Sequence, residues 1–110
     1  MNEPDMNEDI SRINRLLEEV SQLKSYSYEN TLNLQVIYDE LYAIIHLLYK
    51  ENPNKWHGTL NGVDHTKRSQ ILIMNSKKSS QKIKNESFWK AHENIIYDLN
   101  EIKIGLISST

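Results

Sequence analysis

The chain has 110 residues, no cysteine, and a formal net charge of −2 from 13 Lys+Arg and 15 Asp+Glu. A length of this order allows one domain, and the lack of cysteine excludes disulfides, thiol chemistry and cysteine-based metal sites. With no basic excess, nucleic acid is not the expected partner.

The start, Met1-Asn2-Glu3-Pro4-Asp5, is acidic and polar rather than signal-like. The expectation is therefore a cytoplasmic protein, exported only by a route that reads no cleavable leader. The longest uncharged apolar run, Leu41 to Tyr49, is about half of what a bilayer crossing needs, so no membrane insertion is expected. Residues 5–52 and 63–104 contain neither proline nor glycine, while Pro53, Gly58 and Gly62 cluster in between. That placement of breakers predicts an all-α antiparallel hairpin: one helix over about 8–51, a turn at 52–63, and a second helix over about 64–107.

In the first helix a seven-residue repeat runs through Met6, Ile13, Val20, Ser27, Leu34, Leu41 and Leu48, with its companion positions at Asp9, Leu16, Leu23, Asn30, Ile37 and Ile44. Apart from Asp9 and the Ser27/Asn30 layer, every position is apolar, which is a coiled-coil-like signal. Asn7 or Asp9 suits the N-cap. Arg12, Arg15, Glu18, Glu19, Lys24 and Glu29 fill the solvated side. Beyond Tyr38 the helix becomes apolar nearly all round, and such a helix needs more than one neighbour. Glu51 precedes Asn52-Pro53, where helical angles are disfavoured before the proline.

The second helix opens on Ile71-Leu72-Ile73-Met74 and closes on a four-three-four-three-four seam of Phe88, His92, Ile95, Leu99, Ile102 and Leu106. Asp64 or Thr66 would cap it. Between the two apolar parts lies Lys77 to Glu86, polar at the expected core positions, within which the lysine run Lys77 to Lys84 reads as a solvated face. Folding the chain about His57 sets Ser27 opposite Ser87 and Asn30 opposite Lys84, so two polar places would face each other. A buried polar layer of this kind fixes register or partner choice at a cost in stability; the alternative is that the middle simply bends. A two-helix hairpin leaves much apolar surface uncovered. The expected contact surface is the collar near the turn: Tyr38, Tyr42, Ile45, Leu48, Tyr49, Ile71, Leu72 and Met74. A partner would complete a four-helix or larger bundle there.

At the turn stands Trp56-His57-Gly58, a W-x-G, and late in the second arm Tyr97-Asp98-Leu99-Asn100-Glu101, a Y-x-x-x-E. In this order on a helical hairpin, the chain resembles the WXG-type (Esx-like) small proteins of type VII secretion, and more narrowly the small partner proteins of LXG toxins. The resemblance implies that Trp56 and Gly58 organise the bend. It implies that Tyr97 and Glu101 belong to a secretion signal, and that the chain pairs as a homo- or heterodimer or sits on the helical N-terminal domain of a toxin. The chain departs from that family in its longer first arm, its wealth of Tyr, Asn, Lys and Ile, and the position of Tyr97 and Glu101 inside a helix.

No catalytic, cofactor or metal residues are expected. His46, His57, His65 and His92 include no i,i+4 pair and no H-E-x-x-H. His57, Asp64 and His65 read as solvent-facing, and His92 as a seam histidine. No phosphate loop or nucleophile elbow occurs. The functional expectation is a non-enzymatic targeting chaperone for an LXG-type toxin. The rival expectations are a cytoplasmic immunity protein or antitoxin, a phage-borne inhibitor, and a plain homodimeric scaffold.

Overall fold

The computed structural model describes residues 3–108, with side chains from Glu8 onward. The seam position Met6 and the cap candidate Asn7 therefore lie outside the described side chains. Within the described residues all regular structure is helical: α1 (Glu3–Ser21), α2 (Tyr28–Glu51), α3 (Pro53–Thr66), a π-helical turn (Lys67–Ile71), α4 (Leu72–Asn75) and α5 (Gln81–Ile107). The all-helical expectation holds. The arms are not the two uninterrupted helices predicted, and of the segment 52–63, predicted as the turn, all but Asn52 is helical.

Each departure has a local cause. The first arm breaks at residues 22–27. There Ser27 adopts an extended backbone and its side chain accepts a hydrogen bond from the Asn30 N–H at 3.0 Å, while the Asn30 amide donates to the Ser25 carbonyl at 2.8 Å. Ser27 and Asn30 are thus the capped start of α2 rather than a buried polar layer. The polar stretch Lys77–Glu86 resolves the same way. Residues 76–80 form a loop, and Ser80 caps α5 by accepting from the Ile83 N–H at 3.2 Å.

Asn52 is the hinge between α2 and α3. Its N–H closes α2 on the Leu48 carbonyl at 3.0 Å, and its side chain accepts from the Lys55 N–H at 3.3 Å to open α3. Helix α2 ends at Glu51 as predicted, but Pro53 then serves as the first residue of a new helix, where its missing N–H costs nothing. The π-helical turn also follows from the sequence. The buried residues of this arm are Trp56, Val63, Thr66, Ile71 and Met74. The step from Thr66 to Ile71 is one residue too long for an α-helical face, and a wide turn absorbs it.

Contacts fix the topology. Arg12 and Arg15 of α1 both pair with Glu40 of α2. The Tyr38 hydroxyl of α2 donates to the Val63 carbonyl at 2.7 Å, and Gln35, further back, meets Asn75 at 2.9 Å. Trp56 lies on Gly105, and Gly62 on Asp98. Successive arms are therefore antiparallel, and α1 returns to pack on α5 as well as on α2. The result is an up-down-up-down four-helix bundle, with α3, the π turn and α4 forming the third arm.

The core is the predicted seam. Ile13, Leu16, Val20, Leu34, Ile37, Leu41 and Ile44 from the first repeat are buried with Phe88, Ile95, Leu99, Ile102 and Leu106 from the second. His92 is half-buried at its seam position and bonds the Leu23 carbonyl at 3.1 Å. Burying each of the large aliphatic side chains is worth ~1.5–3 kcal/mol. Bending at 22–27 and 76–80 lets the chain collect that gain within itself, where a straight two-helix hairpin leaves much apolar surface uncovered.

Candidate interaction surface

The predicted collar is mostly core. Tyr38, Ile45, Ile71 and Met74 are buried, and Leu48 and Tyr49 are half-buried against them. Of the eight residues only Tyr42 and Leu72 are exposed. A stretch that is apolar all round is satisfied here by α1 and α5 on one side and α3 on the other, so most of it is covered by the chain's own helices. Burial in the hydrophobic core, with the Asp64 charge next, pushes the Tyr38 hydroxyl well above the usual phenol range, in keeping with its neutral hydrogen bond to Val63.

The W-x-G residues part company. Trp56 is buried in α3. Gly58 is exposed, a Cβ built on it meets nothing within 4 Å, and its φ is not positive. It therefore performs no bend. The glycine that Trp56 needs is Gly105 on α5: a Cβ there would lie 2.8 Å from the indole Cζ3 and closer still to Cη2. The indole stands over the bare backbone of α5 and locks α3 to it. Sequence reading missed Gly105 because helix propensity gives no reason for a glycine there. A glycine inside an otherwise regular helix was the available signal, since it often marks close packing.

Tyr97 and Glu101 are both exposed, one helical turn apart on the outer face of α5. Ile104 and Ile107 continue that side of the molecule, and Tyr97, Ile104 and Ile107 are 62%, 61% and 60% exposed. Directly beside Tyr97 the chain turns the opposite chemistry inward. Asp98 is 5% exposed, with its Oδ1 3.4 Å from where a Gly62 Cβ would stand. Burial, and secondarily the Glu101 charge, push its carboxyl up to about 7.

A second outer face lies on α2, where Tyr28, Leu32 and Val36 recur every four residues and are 78%, 45% and 65% exposed. Scattered apolar side chains on a surface are ordinary, but these fall in rows on two helices. Among the described residues no cluster of three His, Cys, Asp or Glu could hold a metal ion, and no helix is long and apolar enough to cross a membrane. Compared with protein-family models, with curated proteins and with solved structures, the chain matches none.

Proposed function

We propose that this chain is a non-enzymatic binding module that docks on another protein through the outer faces of its helices, in the manner of the small partner proteins of LXG toxins in type VII secretion. The observation that carries this reading is the outer face of α5. Tyr97, Ile104 and Ile107 keep most of their surface in water although the core is already complete, and Glu101 stands one turn from Tyr97. Covering such apolar surface returns about 25 cal/mol per Å², and an exposed tyrosine is a frequent anchor of protein interfaces. On this reading Tyr97 and Glu101 are recognised as a pair, and Trp56 acts indirectly by holding α3 on α5. The partner is the helical N-terminal region of a toxin or another small helical protein, and the complex forms in the cytoplasm before any export.

The test is co-purification with an LXG toxin, with the bound segment mapped by cross-linking. Binding to the toxin's helical N-terminal region that weakens in the Tyr97→Ser/Glu101→Lys double variant supports the reading. Absence of any contact with that region overturns it. A second reading, an immunity protein or inhibitor, is favoured by one observation: the apolar core closes within the chain itself, so the protein can stand alone until it meets its target. Binding to the toxin's catalytic end, independent of Tyr97 and Glu101, would select it.

A further inference from the structure

We infer that the groove where the N-terminal ends of α2 and α5 meet α4 binds an acidic segment of a partner protein, with one bulky apolar side chain seated in the groove. The inference rests on the reading of the chain as a binding module, but not on secretion or on the α5 face. The cavity has a volume of about 430 Å³ and is lined by Tyr26, Tyr28, Leu32, Met74, Lys77 and Lys84 among others.

What the groove can offer follows from what its walls have already spent. The Gln35 and Asn75 amides bond each other reciprocally, both at 2.9 Å. The Tyr26 hydroxyl donates to the Gln81 Oε1 at 2.9 Å. These polar groups have partners and do not call for a ligand. What remains is the exposed hydrocarbon of Leu32 over the buried Met74, the largely exposed Tyr28 ring, and the lysine ammonium groups. An apolar side chain fits the first, and carboxylates fit the last.

The charge is concentrated. Lys77, Lys78, Lys82 and Lys84 fall in eight consecutive positions, and residues 76–85 contain no acid. None of the four forms an ion pair among the described residues, whereas Arg12 and Arg15 of α1 are paired with Glu40 and Glu19. Lys84 is half-buried. A charge partly withdrawn from water interacts more strongly with an opposite charge than a fully solvated one. An acidic protein segment suits this site better than a phosphate polymer for two reasons. The cations that line it, Lys77 and Lys84, are lysines, point charges, and no arginine, whose fork matches phosphate, stands among its lining. Of its two tyrosine rings, Tyr26 packs edge-on against Phe88 at 5.7 Å and 65°, which leaves Tyr28 alone rather than a row of rings for successive bases.

The probe is a fluorescein-labelled peptide of Glu and Asp with a single central Leu, titrated with the full chain and followed by anisotropy. Binding is expected to weaken about tenfold or more in the Lys77→Glu/Lys84→Glu variant. It should also weaken when the peptide's Leu becomes Ser, and with added salt. Circular dichroism of the double variant, whose changes lie at a surface loop and a groove wall, checks that it stays helical. Failure of the peptide to bind overturns the inference, as does binding that is indifferent to the double charge reversal. Tighter binding of a single-stranded oligonucleotide or of anionic lipid vesicles overturns it too, and so does a groove closed by a second copy of the chain in solution. If the toxin's helical region binds but the peptide does not, the inference falls while the proposed function stands. If the peptide binds and no toxin region does, the reverse holds.

Discussion

Replacing Gly105 by alanine tests the contact that joins the third arm to the last. The added Cβ would stand 2.8 Å from Trp56 Cζ3, and nearer to Cη2, where carbon atoms rest at ~3.5–4.0 Å. Either α5 or the indole must therefore give by about 0.7 Å or more. Trp56 is 5% exposed and has little room to retreat. Overpacking of this kind costs ~1–3 kcal/mol. Alanine's better helix propensity returns about 1 kcal/mol. The net expectation for Gly105→Ala is a loss of about 1 kcal/mol. In a Trp56→Leu background the clash is gone and only the propensity term remains, so the same substitution should stabilise by ~0.5–1 kcal/mol relative to that background. The change of sign is the diagnostic, and it amounts to a coupling of about 1–3 kcal/mol between two residues far apart in sequence. Urea unfolding of the four proteins, followed by circular dichroism, measures it. If Gly105→Ala stabilises both backgrounds equally, Trp56 does not lie on Gly105 and the packing of α3 on α5 is refuted.

Gly58→Ala should stabilise by ~0.5–1 kcal/mol, because the position is an exposed helix interior and gains propensity without a clash; a loss of stability in the same urea titration would restore Gly58 to a bend. Ser27→Ala removes the cap of α2 and should cost ~1 kcal/mol, with Ser27→Asp close to wild type, whereas a register-setting buried serine would tolerate neither. Asp98 titrates near 7 when folded and near 3.8 when not, so the folded state holds its proton more tightly. The stability it contributes is fully present below about pH 4 and is lost as pH rises through about 7, by up to ~4 kcal/mol at roughly 1.4 kcal/mol per unit. Asp98→Asn should therefore flatten the fall in urea midpoint between pH 5 and pH 8, and an unchanged slope would count against a buried carboxyl.

The surface readings were only partly legible. Tyr97 and Glu101 stand out as an i,i+4 pair and the fold leaves them accessible. The collar residues looked like a partner's surface because Leu41 to Tyr49 is apolar all round. Only packing reveals that α1, α3 and α5 all reach that stretch. The lysine-rich segment read as an ordinary solvated face. Its meaning changes when the fold sets it beside Tyr26, Leu32 and Met74, which come from distant parts of the chain.

The sequence by itself determined that the chain is helical and which side of each helix is apolar. Both follow from local periodicity: Ile13, Leu16, Val20, Leu34, Ile37 and Leu41 recur on one face whatever lies opposite. It also determined where the first long stretch of helix stops, at Glu51 before Asn52-Pro53, because a proline's effect on its neighbours is settled locally. What only the tertiary structure decided is that Ser27 and Ser80 cap new helices. A serine at a seam position can be tolerated in a continuous helix or can cap a new one, and the two cost nearly the same locally. The choice is made by burial. Bending at 22–27 and 76–80 brings the two predicted seams onto one core, a gain no window of neighbouring residues contains. The same nonlocal choice seats Trp56 on Gly105 and sets Lys77 and Lys84 on the wall of a groove.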